Sequence, residues 1–130
     1  MSAKNTDDIL RALLDTELKP EKDVHMRRFG VSFRIQALDG KLIAQVRDQA
    51  SYPVKGGGTT VDNVLFKVLV IQKGCVSPDW TDTALAKFGA TAADVIQARL
   101  LPGEIDKLAD EITALSGYGD DAEQIEEIKN

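Results

Sequence analysis

The side chains able to do chemistry are few and lie far apart along the chain. His25 is the only histidine and Cys75 the only cysteine, fifty residues later. A nucleophilic cysteine needs a lowered pKa and a base beside it, and nothing local supplies either. His25 falls in a stretch that reads as a strand, on the face opposite Val24 and Met26. A solvated position suits it better there than general-base or metal work. Cys75 falls near the end of the most apolar segment, where a free cysteine behaves as a small apolar residue. One cysteine excludes an internal disulfide and a four-cysteine zinc site, and one histidine removes the mixed Cys/His sites.

Lys55-Gly56-Gly57-Gly58-Thr59-Thr60 invites comparison with a phosphate loop, because glycines ahead of a helix expose N–H groups to an anion. In the phosphate-loop pattern the lysine stands at the helix start, whereas here it precedes the glycines. A flexible linker or lid is the better reading. Carboxylates pair at Asp106/Asp110 and Asp110/Glu111 on the last long helical stretch, where Glu104, Asp110 and Glu111 fall off the apolar stripe and read as a solvated face. Asp120, Asp121 and Glu123 lack the alternate spacing of a calcium loop. Trp80 follows a Pro78-Asp79 turn and reads as a plug over the core rather than a stacking platform. These residues call for no metal and no cofactor.

The elements that would position them follow from spacing. Thr6 and two aspartates precede Ile9, Leu10, Leu13 and Leu14, which predicts a helix over 7–15, stopped by Lys19-Pro20. Val31, Phe33, Ile35 and Ala37 alternate with polar residues, and Val24 and Met26 precede them across a turn near Phe29-Gly30. That predicts a β-hairpin. Asp39 caps a helix carrying Leu42, Ile43 and Val46, and Thr60 suits the cap of a central helix over 61–76. The rival for 64–71 is a buried strand, and length favours the helix. A short helix follows from Thr81 or Asp82 to Gly89, then one from Thr91 to about Leu100. Pro102 opens a last helix bearing Ile105, Leu108, Ala109, Ile112 and Leu115, with Gly117 as its stop.

The fold class is therefore α+β: five or six short helices packed around one two-stranded antiparallel hairpin in a single domain. Residues 1–119 form the globular part and 120–130 an acidic C-terminal tail. Two strands alone are marginal, so the hairpin lies on helices or extends its sheet with another chain. A length of 130 residues suits one domain with its own core.

Charge narrows the partners. Of 21 acidic side chains nine lie in residues 103–130, which hold only two of the 16 basic ones. Such an end repels phosphate backbones, and no Lys/Arg cluster elsewhere offsets it, so nucleic acid is not expected. The longest apolar stretch, 64–71, is interrupted by Lys67 and is far short of the ~20 residues of a membrane span. No secretion signal is evident, and a soluble cytosolic chain is expected. An open hairpin edge and an acidic end both suit protein partners.

A resemblance sharpens this. Lys87-Phe88-Gly89-Ala90-Thr91 leads into Leu100-Leu101-Pro102-Gly103-Glu104-Ile105, followed by Leu108-Ala109-Asp110-Glu111-Ile112. Leu115-Ser116-Gly117-Tyr118-Gly119-Asp120-Asp121 comes next, and the chain closes on Glu126-Glu127-Ile128-Lys129-Asn130. With Arg28-Phe29-Gly30-Val31-Ser32-Phe33 upstream, the sequence resembles the XkdN-like tail assembly chaperones of phages and prophages of Gram-positive bacteria.

The resemblance implies a non-enzymatic helper of tail morphogenesis in the host bacterial cytoplasm, not retained in the mature virion. It would bind and solubilise the tape measure protein and recruit tail tube subunits. Masking a long apolar helical client calls for an apolar groove, and the stripes at 61–76 and 102–116 supply candidates. Leu65, Leu69, Ile105, Leu108 and Ile112 are the candidate partner-binding residues, with Ile125 and Ile128 in the tail. The bland alternative is that the two stripes pack on each other. A homo-oligomer through the hairpin edge is also expected. Two other readings stand beside the chaperone: a structural component of the tail or baseplate, and a small nucleotide-binding protein.

Overall fold

The computed structural model describes residues 6–15, 20–80, 85, 87 and 91–118. Five helices are complete among them: α1 (Thr6–Asp15), α2 (Gly40–Gln49), α3 (Asn63–Gly74), α4 (Ala92–Arg99) and α5 (Pro102–Leu115). The five strands are β1 (Glu21–Met26), β2 (Val31–Gln36), β3 (Ser51–Pro53), β4 (Thr59–Val61) and β5 (Cys75–Ser77). The short helix expected between Thr81 and Gly89 lies outside the described residues, save Leu85 and Lys87, which are helical. The acidic tail, with Ile125 and Ile128, lies outside them too.

Local chemistry sets most helix ends. Asp39 accepts from Leu42 N at 2.8 Å, and Thr91 accepts from Asp94 N at 3.1 Å. Leu101 precedes α5 and has no oxygen to offer, so Glu104 reaches back and accepts from Leu101 N at 2.8 Å. At the other end Gly117 has φ 94°, Gly117 N donates to Ala114 O and Tyr118 N to Thr113 O. This is a Schellman motif, and the positive φ explains the glycine.

The hairpin is real but is not the whole sheet. β1 pairs with β2 in register from Glu21↔Gln36 to Met26↔Val31, around a turn that Gly30 closes at φ 68°. β5 then joins the far side of β2 through Arg34↔Ser77 and Ile35↔Cys75, across a bulge. The expected two-stranded hairpin is thus a three-stranded antiparallel sheet of order β1-β2-β5. The physical reason is length: three residues leaving a helix carry no alternation to read, and only β2 makes them a strand.

A second, two-stranded sheet pairs β3 with β4, Ser51↔Val61 to Pro53↔Thr59. Residues 55–60 were expected as a flexible loop with Thr60 capping the next helix. Instead Gly56, Gly57 and Gly58, at φ 95°, 100° and 80°, turn the chain back on itself. Thr60 is spent on β4, and the cap of α3 passes to Asp62, which accepts from Leu65 N at 3.1 Å. The central helix is correspondingly shorter than 61–76, and the buried-strand alternative for 64–71 does not occur.

α3 lies in the middle, packed against α2, α4 and α5. α3 and α5 run in the same direction, since Lys67 meets Asp106 and Gly74 meets Ile112. Val68, Val70, Ile71, Ile96, Leu108 and Ile112 form the fully buried centre, and Val24, Met26, Phe33 and Ile35 close it from the inner face of the sheet. Each such aliphatic side chain contributes about 1.5–3 kcal/mol through burial. β1 runs antiparallel to α5: Lys22 pairs with Glu111 at one end, and Lys107 Nζ donates to His25 O at 3.1 Å toward the other. Ser116 Oγ accepts from Leu38 N and donates to Ile112 O, both at 2.8 Å, which fastens the β2–α2 connection to the end of α5.

α1 is the exception. None of its residues is buried, and Ile9, Leu10, Leu13 and Leu14 stand 50%, 49%, 68% and 82% exposed.

Candidate functional site

The chemically able residues are not gathered. His25 lies on the outer face of the sheet, opposite Ser32, with Arg34 nearby holding Glu21 at 2.6 Å and Asp23 at 3.0 Å. Cys75 points into the core beneath Trp80. Burial pushes its thiol up to about 11, only slightly offset by the Trp80 indole N–H beside it. That N–H is buried without a well-formed hydrogen bond among the described residues. Trp80 meets Phe33 edge-on, with centroids 6.5 Å apart, and so plugs the core as its sequence context suggests. Among the described residues no three His, Cys, Asp or Glu side chains gather as a metal site.

The glycine loop turns a β-hairpin instead of opening a helix: Val54 N donates to Gly58 O and Gly57 N to Val54 O. The N-terminus of α3 already holds the carboxylate of Asp62, which repels a further anion.

What the fold does assemble is apolar surface. Between α3, α4 and α5 opens a groove of about 350 Å³. Leu100 and Ile105 form its floor, Val64 and Pro102 its lips, and Asn63, Lys67, Gln97 and Asp106 its polar rim. Val64 is 58% exposed although it sits on the central helix. Lys67 and Asp106 pair across the rim at 2.8 Å, and that hydrogen bond raises the lysine pKa. Exposed pairs of this kind contribute little, so they can open for a ligand.

This arrangement sorts the sequence candidates. Leu108 and Ile112 are spent on the core between α3 and α5, and Ile105 reaches the groove only from its floor. The bland packing of one stripe on the other accounts for these two residues. Leu65 and Leu69 are half-buried on α3, and Leu69 packs on the core. Val64 belongs to the apolar stripe expected at 61–76, whereas Leu100 and Pro102 were not among the candidates, because the groove is assembled from three elements.

A second feature was also missed. Arg28, in the hairpin turn, grips Glu104 with both Nε and Nη2, the latter at 2.7 Å, and donates to Arg99 O at 2.7 Å. One side chain thus joins the sheet, the end of α4 and the start of α5. The Arg28 hydrogen bond, with help from Leu101 N, holds the Glu104 carboxyl below the usual carboxylate range. The guanidinium also lies 4.3 Å from the centre of the Phe29 ring.

No curated protein and no solved structure matches the sequence. A family model does: that of the phage XkdN-like tail assembly chaperone protein, over residues 10–129. That span takes in α2 to α5, both sheets and the apolar groove. The chain belongs to the phage XkdN-like tail assembly chaperone family.

Proposed function

We propose that the chain binds and solubilises the tape measure protein in the host cytoplasm, brings tail tube subunits to it, and leaves before the virion is finished. The observation that carries this reading is the groove at the starts of α3 and α5. Exposed Val64 beside buried Leu100 and Ile105 gives an apolar trough with a thin, openable polar rim. A helical client with apolar side chains at i, i+3 and i+4 would place one or two of them there at a time. Many copies along one client would then cover its length.

Co-expression with the tape measure protein of the same gene cluster tests this. The client is expected to move into the soluble fraction and to co-purify with the chaperone. Insoluble client and empty pull-downs would count decisively against the proposal. Mass spectrometry of purified particles adds a second arm: the chain should be missing from them, whereas a stoichiometric amount would make it a structural tail component.

A further inference from the structure

We infer that α1 of one copy docks on a second copy, in the cleft between the hairpin turn and the start of α5. Two observations meet here. The first is the open stripe of α1: Ile9, Leu10, Leu13 and Leu14 stand 49% to 82% exposed, and none of the residues Thr6–Asp15 is buried. Its four large aliphatic residues form one stripe, while Asp7, Asp8 and Asp15 against Arg11 leave it with a formal charge of −2.

The second observation is a surface of matching chemistry. A cleft of about 280 Å³ is lined by Met26, Arg27, Arg28, Leu101, Glu104 and Lys107. Glu104 is already taken by Arg28, whereas Arg27 and Lys107 have no carboxylate at ion-pair distance among the described residues. Exposed apolar side chains lie in the cleft wall and on the hairpin that adjoins it. Leu101 is 54% exposed in the cleft wall, Phe29 is open beneath Arg28, and Val31 is open opposite Met26. An acidic helix with an aliphatic stripe therefore satisfies both halves of this surface: leucines on Leu101, Phe29 and Val31, aspartates toward Arg27 and Lys107. The only such helix among the described residues is α1.

Every copy carries both the helix and the cleft. The contact joins unlike patches, so it builds either a reciprocal dimer or a growing row of copies. It is separate from the groove between α3, α4 and α5 and does not rest on the client proposed for that groove.

Light scattering on the full chain, over a range of concentration and salt, tests the inference without any client. The wild type is expected to form a dimer or larger species that weakens as salt rises. Leu13→Glu, at an exposed position, should raise the dissociation constant by about tenfold or more, with an unchanged circular dichroism spectrum of the core. Asp7→Lys with Asp8→Lys should do the same, and so should Arg27→Glu with Lys107→Glu. Combining the two charge reversals should restore assembly. A wild type that stays monomeric at every concentration overturns the inference, with α1 either free or folded onto its own chain. An assembly that survives all the α1 variants overturns it equally, and would assign self-association to the open β1 edge. Failure of the combined reversal to restore assembly removes the cleft as the acceptor.

Discussion

Gly74 and Ile112 touch where the last turn of α3 crosses α5, so closely that a methyl group on Gly74 would stand 2.7 Å from two Ile112 carbons. Both residues are buried, Ile112 completely, and the clash involves its branched Cγ2 as well as its mobile end. Gly74→Ala should therefore destabilise the fold by about 1–3 kcal/mol despite alanine's better helix propensity. Ile112→Val in the same chain should couple with it rather than add, by more than about 0.5 kcal/mol. Urea unfolding of the two single variants and the double variant measures both.

Arg28 holds the Glu104 carboxyl below its usual range, so the folded state favours the carboxylate. The sign follows: this contribution is present above the unfolded carboxylate pKa and is lost as pH falls through the lowered one. Glu104→Gln removes the charge and keeps the shape. Its thermal midpoint should lie below wild type at neutral pH, and the gap should close on acidification. A gap that stays constant with pH would mean the pair contributes nothing electrostatic.

Cys75 should resist chemistry in the folded protein. With its thiol pushed up to about 11 by burial, almost no thiolate forms near neutrality. Iodoacetamide should label the native chain at least about tenfold more slowly than the urea-unfolded one. Because the folded pKa is raised, its contribution is complete below the unfolded thiol value and is lost as pH climbs through about 11. That loss amounts to at most ~2–3 kcal/mol.

Ser116 is a small joint with two loads. Ser116→Ala leaves Leu38 N without its acceptor in a part-buried place, at a cost of about 1–2 kcal/mol. Amide exchange should report the loss first at Leu38 and the start of α2.

Val64 separates function from stability. Val64→Glu places a charge on an exposed lip of the groove, so stability should change by no more than about 0.5 kcal/mol. Co-purification of the tape measure protein should fall severalfold. Full retention of the client would locate its binding elsewhere on the chain.

Most of what neighbours in sequence settle was legible in advance; the cap of α3 was not, because β4 takes Thr60 and Asp62 caps the helix instead. The caps at Asp39 and Thr91, the alternation from Val31 to Ala37, the helical spacing from Ile105 to Leu115 and the stop at Gly117 each depend on side chains and backbone a few residues apart. Those are short-range hydrogen bonds and periodicities, and they read directly from the letters. β5 and the β3–β4 hairpin did not, because three-residue strands exist only through partners that the fold brings to them. The groove and the basic cleft belong to the same class. Their walls come from positions as distant as Val64 and Ile105, or Arg27 and Lys107, and no local pattern joins them. Burial likewise divided the candidates: Leu108 and Ile112 look as able to bind a client as Val64 does until α3 and α5 pack side by side. Apolar character belongs to a residue, but whether it faces a partner or the core depends on what tertiary packing has already covered.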